Sequence, residues 1–187
     1  MEKLIPIIVG LTSYVFTEYI ITKKNKPKYA ICQLSNNIGY VTFKQLHDNL
    51  SEIKCNLKNV STGLHGLHIH NYGDLTEGCK STCSHYNPYN KNHGGPLGKN
   101  RHRGDLGNIE SDTSKNSDTI IHANVNIDEI IGRALILHKN PDDLGQKNTE
   151  ESKKTGNSGE RIACGVIGLA KEFKSVNDET TYNYLVH

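Results

Sequence analysis

The sequence has no Trp, one Met and only three Phe. That scarcity argues against a helical bundle, whose packing draws on many long apolar side chains in 3.6-residue stripes. It has no C-x-x-C pair either. Its five cysteines, Cys32, Cys55, Cys79, Cys83 and Cys164, give a zinc-finger or thioredoxin-like reading no anchor and are too few for a disulfide-dense scaffold. A clustered excess of Lys and Arg is missing as well. At a net charge of +2 the chain is no strongly basic nucleic-acid binder, because phosphate neutralisation needs such clusters. Apolar residues are sparse: about 39% when Gly is counted and Tyr is not, against about 45–50% in average domains, so long polar loops are expected. What the chain has in unusual number is His, 10 in 187 residues.

A chain of 187 residues suits one ordinary domain. Residues 1–27 read as an N-terminal extension, 28–171 as the domain and 172–187 as a polar tail. The stretch from Leu4 to Ile21 is mostly apolar, but Pro6, Thr12, Ser13, Thr17 and Glu18 interrupt it and four lysines follow. It is open to three readings: an amphipathic or disordered arm, a signal anchor, or a cleaved signal peptide. Any membrane contact is expected only through this segment. A cytoplasmic location is favoured, with membrane-anchored or secreted forms as alternatives.

From Lys28 onward the pattern is β. Short β-branched or alternating runs occupy 29–34, 40–43, 53–57, 64–72, 119–125, 131–137 and 162–169, separated by Gly, Asn, Asp and Ser clusters. Seven or eight antiparallel strands in a sandwich or small barrel are expected. Two connections, about Gly73 to Arg103 and about Lys139 to Arg161, are too long for hairpins, and loops of that length are usually functional.

Side chains alternate across a strand, so His68 and His70 in the run 64–72 project from one face, about 6–7 Å apart. Alone, such a pair reads more readily as two half-exposed histidines on a polar sheet face. The long loop that follows adds His85, His93, His102 and Asp105, and a later strand run ends in His138. Imidazoles with one carboxylate suit zinc, copper, iron or nickel better than calcium or magnesium. Metal ligation also offsets the entropy of ordering a long loop.

Several stretches then align with one family. Gly63-Leu-His-Gly-Leu-His-Ile-His70, Tyr72-Gly-Asp74, His93-Gly-Gly-Pro96, Arg101-His-Arg-Gly-Asp-Leu-Gly-Asn108, Gly132-Arg-Ala-Leu-Ile-Leu-His138, Asp142-Asp-Leu-Gly145, Thr155-Gly-Asn157 and Ala163-Cys-Gly-Val-Ile-Gly168 closely resemble the copper/zinc superoxide dismutases, in order and nearly in spacing. The resemblance implies an all-β, eight-stranded antiparallel Greek-key sandwich or barrel with two long functional loops. It implies copper and zinc as cofactors, superoxide as substrate, no nucleic-acid partner and a homodimer. Residue by residue, His68, His70, His85 and His138 resemble copper ligands, and His85, His93, His102 and Asp105 zinc ligands. His85 would bridge the two metals, leave copper on reduction and act as a general acid toward nascent peroxide. Arg161 resembles the arginine that fixes superoxide beside copper. Asp142 resembles a carboxylate that orients a histidine from each site. Glu150, Glu151, Lys154 and Thr155 resemble residues that shape the field around the channel. Cys79 and Cys164 resemble the family's intrasubunit disulfide, which would contribute roughly 4–5 kcal/mol at most in a chain-entropy account.

His65 resembles a structural histidine of the family, while His47, His122 and His187 match nothing and are assigned to the surface. Cys32 and Cys55 fall in strand runs and read as small buried thiols. Cys83-Ser84 stands where the family usually has Gly-Pro, and Cys83 reads first as a free thiol, with competition for the disulfide or contact with the metal site as the alternatives. The segment Gln146-Lys-Asn-Thr149 lacks glycines often found at the channel rim. Tyr72-Gly73, Ile131-Gly132 and Val166 to Leu169 resemble dimer-forming patches. Two other readings remain. An inactive copper/zinc-binding relative would have lost ligands or the arginine, and a copper chaperone would carry an M-x-C-x-x-C head; neither feature fits this chain.

Overall fold

In the computed structural model the described residues are 28–173. Within them the apolar alternation read from the sequence becomes two antiparallel sheets. The first contains β1 (Tyr29–Leu34), β2 (Gly39–His47), β3 (Leu50–Lys58), β6 (Asn116–Ser117), β7 (Ile120–Ala123) and β10 (Gly168–Ala170). It runs in the order β10-β1-β2-β3-β6, with β7 also paired to β3. The second runs β5-β4-β8-β9, from β4 (Gly63–Ile69), β5 (Asp105–Ser111), β8 (Ala134–His138) and β9 (Arg161–Val166). β6 and β7 are two pieces of one interrupted strand, as are β9 and β10, so the Greek-key sandwich has eight strands in effect.

Alternation explains the core. Val41 and Phe43 of β2, and Ile53, Cys55 and Leu57 of β3, face Leu67 and Ile69 of β4, Leu106 and Ile109 of β5, and Leu135 and Leu137 of β8. The β1–β2 turn holds Asn36 and Asn37 both at positive φ, 61° and 53°, the backbone of a two-residue turn matched to strand twist. Because Leu135 and Leu137 point inward, Ala134, Ile136 and His138 point out. His68 follows the same rule beside Leu67 and Ile69. The outer face of the second sheet is therefore a histidine-bearing surface, and the two long loops cover it.

Several strand boundaries differ from expectation. β5 does not register as a strand in the sequence, since Asp105, Gly107, Asn108 and Glu110 dilute its pattern; its pairing with β4 and the burial of Leu106 and Ile109 hold it. The run 131–137 begins as a strand only at Ala134, after a short helix α1 (Ile127–Ile130) capped by Asn126 Oδ1. The run 64–72 ends at Ile69, and His70 forms a single bridge to His85 instead. The loop from Lys139 carries a helix α2 (Glu150–Thr155), with Thr149 as N-cap and Gly156 in the left-handed C-cap position. No helix among the described residues is long and apolar enough to cross a membrane. The expectations for residues 1–27, for most of the tail and for His187 lie outside the described residues.

Candidate metal centre

The loop between β4 and β5 is drawn onto the sheet by backbone pairing: Tyr86 N donates to Ile69 O at 2.8 Å, and Ile69 N to Gly104 O at 2.8 Å. That brings His85 against the outward histidines of β4 and β8. The donor atoms of His68, His70, His85 and His138 lie within 4.8 Å of one another, and so do those of His85, His93, His102 and Asp105. All seven residues are buried, and His85 belongs to both sets.

Each imidazole is oriented by its far nitrogen. His70 Nδ1 meets Cys83 O at 2.8 Å, His138 Nδ1 meets Gly159 O at 3.1 Å, and His68 Nε2 meets Asp142 Oδ2 at 2.8 Å. A carbonyl or carboxylate can only accept, so these nitrogens carry the protons and the opposite ones present lone pairs. Those opposite atoms, His70 Nε2, His138 Nε2 and His68 Nδ1, are buried with no hydrogen-bond partner among the described residues. Buried polar atoms are normally satisfied. Three orphaned lone pairs converging beside His85 fit a transition-metal cation that prefers nitrogen ligands.

The second set gathers on Asp105. Its Oδ1 lies 2.9 Å from His85 Nδ1, 2.9 Å from His93 Nδ1 and 3.1 Å from His102 Nδ1. The His93 contact is close but misdirected, so His93 Nδ1 makes no hydrogen bond. A common point between the four groups, where a cation would sit, accounts for both facts. Three imidazoles and a carboxylate form a closed tetrahedral set of the kind that holds structural zinc. Asp105 Oδ2 is itself fixed by the backbone N–H groups of Gly94 and His102.

Asp142 joins the two sets. It accepts from His68 Nε2 on one oxygen and from His93 Nε2, at 2.7 Å, on the other. Backbone crowding keeps this contact tight: a Cβ at Gly156 would stand 2.0 Å from Asp142 Oδ1 and 2.5 Å from His93 Nε2. Gly156 is both the helix cap and the floor under Asp142.

Electrostatics follow the geometry. Burial pushes His68, His70 and His85 below the ordinary imidazole range, and His138 down to about 4. His93 is the exception: burial lowers it, but Asp105 and Asp142 outweigh that and raise it to about 9. Burial would raise Asp105 and Asp142, yet their histidine partners hold both well below the carboxylate range.

Arg161, at the start of β9, is half-buried. Its Nη1 donates to Cys79 O at 2.6 Å and to Thr82 Oγ1 at 3.2 Å, and its Nη2 donates to Cys83 O at 2.6 Å. The Cys83 carbonyl thus serves both Arg161 and His70. Glu150, Glu151, Lys154 and Thr155 all sit on α2, and Thr155 Oγ1 donates to Glu151 Oε1 at 2.6 Å. The chain is bridged between Cys79 and Cys164, whose Cα atoms are 5.6 Å apart across 85 residues of sequence, while Cys32, Cys55 and Cys83 are free. Burial pushes the Cys32 and Cys55 thiols up to about 12. His65 is buried between His138 O and Ser61 O, and His47 and His122 are exposed.

Sequence reasoning missed the backbone acceptors, Cys83 O and Gly159 O, since carbonyls carry no residue signal. It also missed Asp143, which accepts from Gly145 N at 3.0 Å, Ser152 Oγ at 2.7 Å and Asn157 Nδ2, and so ties α2 to the segment bearing Asp142.

A β-sandwich whose outer face holds two adjoining histidine-rich sites sharing one imidazole defines a two-centre metalloprotein. The model of the copper/zinc superoxide dismutase family (SODC) matches residues 37–167. The chain belongs to that family, whose cofactors are copper and zinc. It is 44% identical over 152 residues to superoxide dismutase (Cu-Zn) 5 of Dictyostelium discoideum, covering 76% of this chain and 98% of that protein. Among solved structures it is similar to the clock protein EA4, with a TM-score of 0.73 at 41% identity, over 77% of this chain and 96% of the other.

Proposed function

We propose that this chain disproportionates superoxide to dioxygen and hydrogen peroxide, with His68, His70, His85 and His138 holding copper, and His85, His93, His102 and Asp105 holding zinc. The observation that carries the assignment is the set of buried imidazole lone pairs aimed together while their far nitrogens are anchored. Copper, when bound, supplies one-electron oxidation and reduction, and zinc supplies fixed charge and a pinned loop. The protein's own groups do the rest. Arg161 presents a permanent cation in a fork already oriented by the carbonyls of Cys79, Lys80 and Cys83, suited to a small anion. His85, common to both sets, is the group to hold a proton and pass it to reduced substrate. Asp142 orients His68 and His93 together. Lys154 supplies attraction on the rim helix, where Glu150, Glu151 and Thr155 bound the approach.

The same reading makes the protein a homodimer. Tyr72, Val166 and Leu169 are 59%, 42% and 71% exposed. A Cβ at Gly73 would meet Gly132 O at 2.1 Å and Val166 at 3.4 Å, so these segments form one continuous patch. Residues 28–171 are the functional domain, with 1–27 and 172–187 appended.

Copper and zinc content, measured with superoxide consumption on purified protein, tests the assignment. His138→Ala should lose copper and activity while keeping most zinc; full activity in that variant would sink it. Sedimentation of wild type against Val166→Lys tests the dimer.

A further inference from the structure

The Cys83 carbonyl orients His70 and Arg161. Its thiol has no role in the activity described above, yet its surroundings are specific. It is exposed and free, and stands four residues from Cys79 of the disulfide. The chain between them is a turn: residues 78–80 form a 3-10 helix, Thr82 Oγ1 donates to Cys79 O at 2.9 Å, and Cys83 N to Lys80 O at 3.4 Å. One guanidinium, that of Arg161, grips the carbonyls of both Cys79 and Cys83. Arg161 shares β9 with Cys164. A free thiol and a disulfide sulfur thus sit at the two ends of one short turn held by one cation.

We propose that Cys83 is an exchange thiol for the Cys79–Cys164 disulfide. The Cys83 sulfur, as thiolate, attacks Cys79 Sγ in line with the existing bond. A Cys79–Cys83 bond forms, the bond to Cys164 breaks, and Cys164 leaves with the electron pair and takes up a proton. The reverse attack by Cys164 on Cys79 restores the native pairing and frees Cys83. Each direction conserves one disulfide and one thiol, so no outside oxidant or reductant is consumed.

Loop entropy sets which pairing prevails. Cys79 and Cys83 stay close however the loop moves, whereas Cys79 meets Cys164 only when the loop lies on β9. The native bond therefore belongs to the docked loop, and the local bond to the loosened one. Formation of the local bond unties the loop from β9 and re-sets the Cys79 and Cys83 carbonyls that orient Arg161.

Trypsin separates all three cysteines, because Lys80 lies between the first two: Cys79 falls in residues 59–80, Cys83 in 81–91 and Cys164 in 162–171. The copper- and zinc-loaded full chain is incubated in glutathione buffers of graded ratio, quenched in acid, alkylated and digested. The expected result is a 59–80/81–91 link alongside the native 59–80/162–171 link, with alkylated Cys164 in matching amount. Cys83→Ser and Cys83→Gly should both abolish the local link and leave the native one. The glycine variant keeps the test valid if serine misfolds, since Cys83 sits at φ +66°, which glycine adopts freely. Native pairing alone at every ratio, glutathione carried on Cys83 alone, or Cys83 linked to 162–171 would each overturn the proposal.

Discussion

Replacing Asp142 by Asn changes one oxygen into an NH2 group, and the structure says which one. Asp142 Oδ1 accepts from Leu144 N at 2.7 Å as well as from His93 Nε2. Oδ2 is engaged by His68 Nε2. The amide oxygen must remain at the Oδ1 position, where two donors point at it, so the NH2 group faces His68 Nε2–H. Two donors in opposition force His68 to rotate or to move its proton to Nδ1, and a protonated Nδ1 cannot bind copper. The lost hydrogen bond is charge-assisted and buried, worth about 1.5–3 kcal/mol, and about 1.4 kcal/mol is tenfold in affinity. Copper affinity should therefore fall about 10- to 100-fold, in line with other outer partners of metal-binding histidines. Zinc should be affected less, because His93 keeps its acceptor. Competition against colorimetric chelators, followed separately for each metal, reads both constants. Asp143→Asn is no inert control, since Asp143 ties down α2; exposed Glu110→Gln on β5 is the better one. Unchanged copper affinity with weakened zinc would refute the reasoning from hydrogen-bond direction.

Two further outcomes follow from charge. The rate constant should fall as ionic strength rises, since the Debye length shrinks from about 30 Å at 0.01 M to about 10 Å at 0.1 M, and Arg161→Glu should be much slower than Arg161→Lys; equal rates in stopped-flow superoxide decay would contradict anion capture by Arg161. In the metal-free chain, protonated His93 between Asp105 and Asp142 adds stability that is fully present below about 6.5, the unfolded value, and is lost as pH rises through about 9. Zinc binding near pH 7 must displace that proton and should release about one per chain. His70 and His138, already neutral, should release none, but His85 can serve both sites only by giving up its last N–H, so copper added to the zinc-loaded chain should release about one more, as a pH-stat titration would show.

The site was more legible in the sequence than the strands around it. His68, His70 and His138 announce themselves because strand alternation puts them in phase, and family motifs supplied Asp142 and the cysteine pair. β5 was lost because its inward residues, Leu106 and Ile109, are separated by Gly107 and Asn108, and tertiary pairing rather than propensity makes the strand. Asp143 was overlooked because an acidic residue beside Asp142 looks like a solvated loop until Ser152 and Asn157 are seen to converge on it. Cys83 O left no trace at all, because its importance lies in a peptide group that any residue would supply.

That carbonyl limits how the protein can vary. One oxygen fixes the proton of His70 and accepts from Arg161 Nη2, so, on the proposed assignment, the tautomer of a copper ligand and one arm of the anion-binding fork share a single peptide plane. It is oriented by a left-handed residue at φ +66°. Rotation of the plane frees the proton-bearing nitrogen of His70 and one arm of Arg161 at once, and substitutions of His70 and Arg161 should be non-additive even though neither side chain hydrogen-bonds the other. Substrate capture and electron transfer cannot be tuned independently along this stretch of loop.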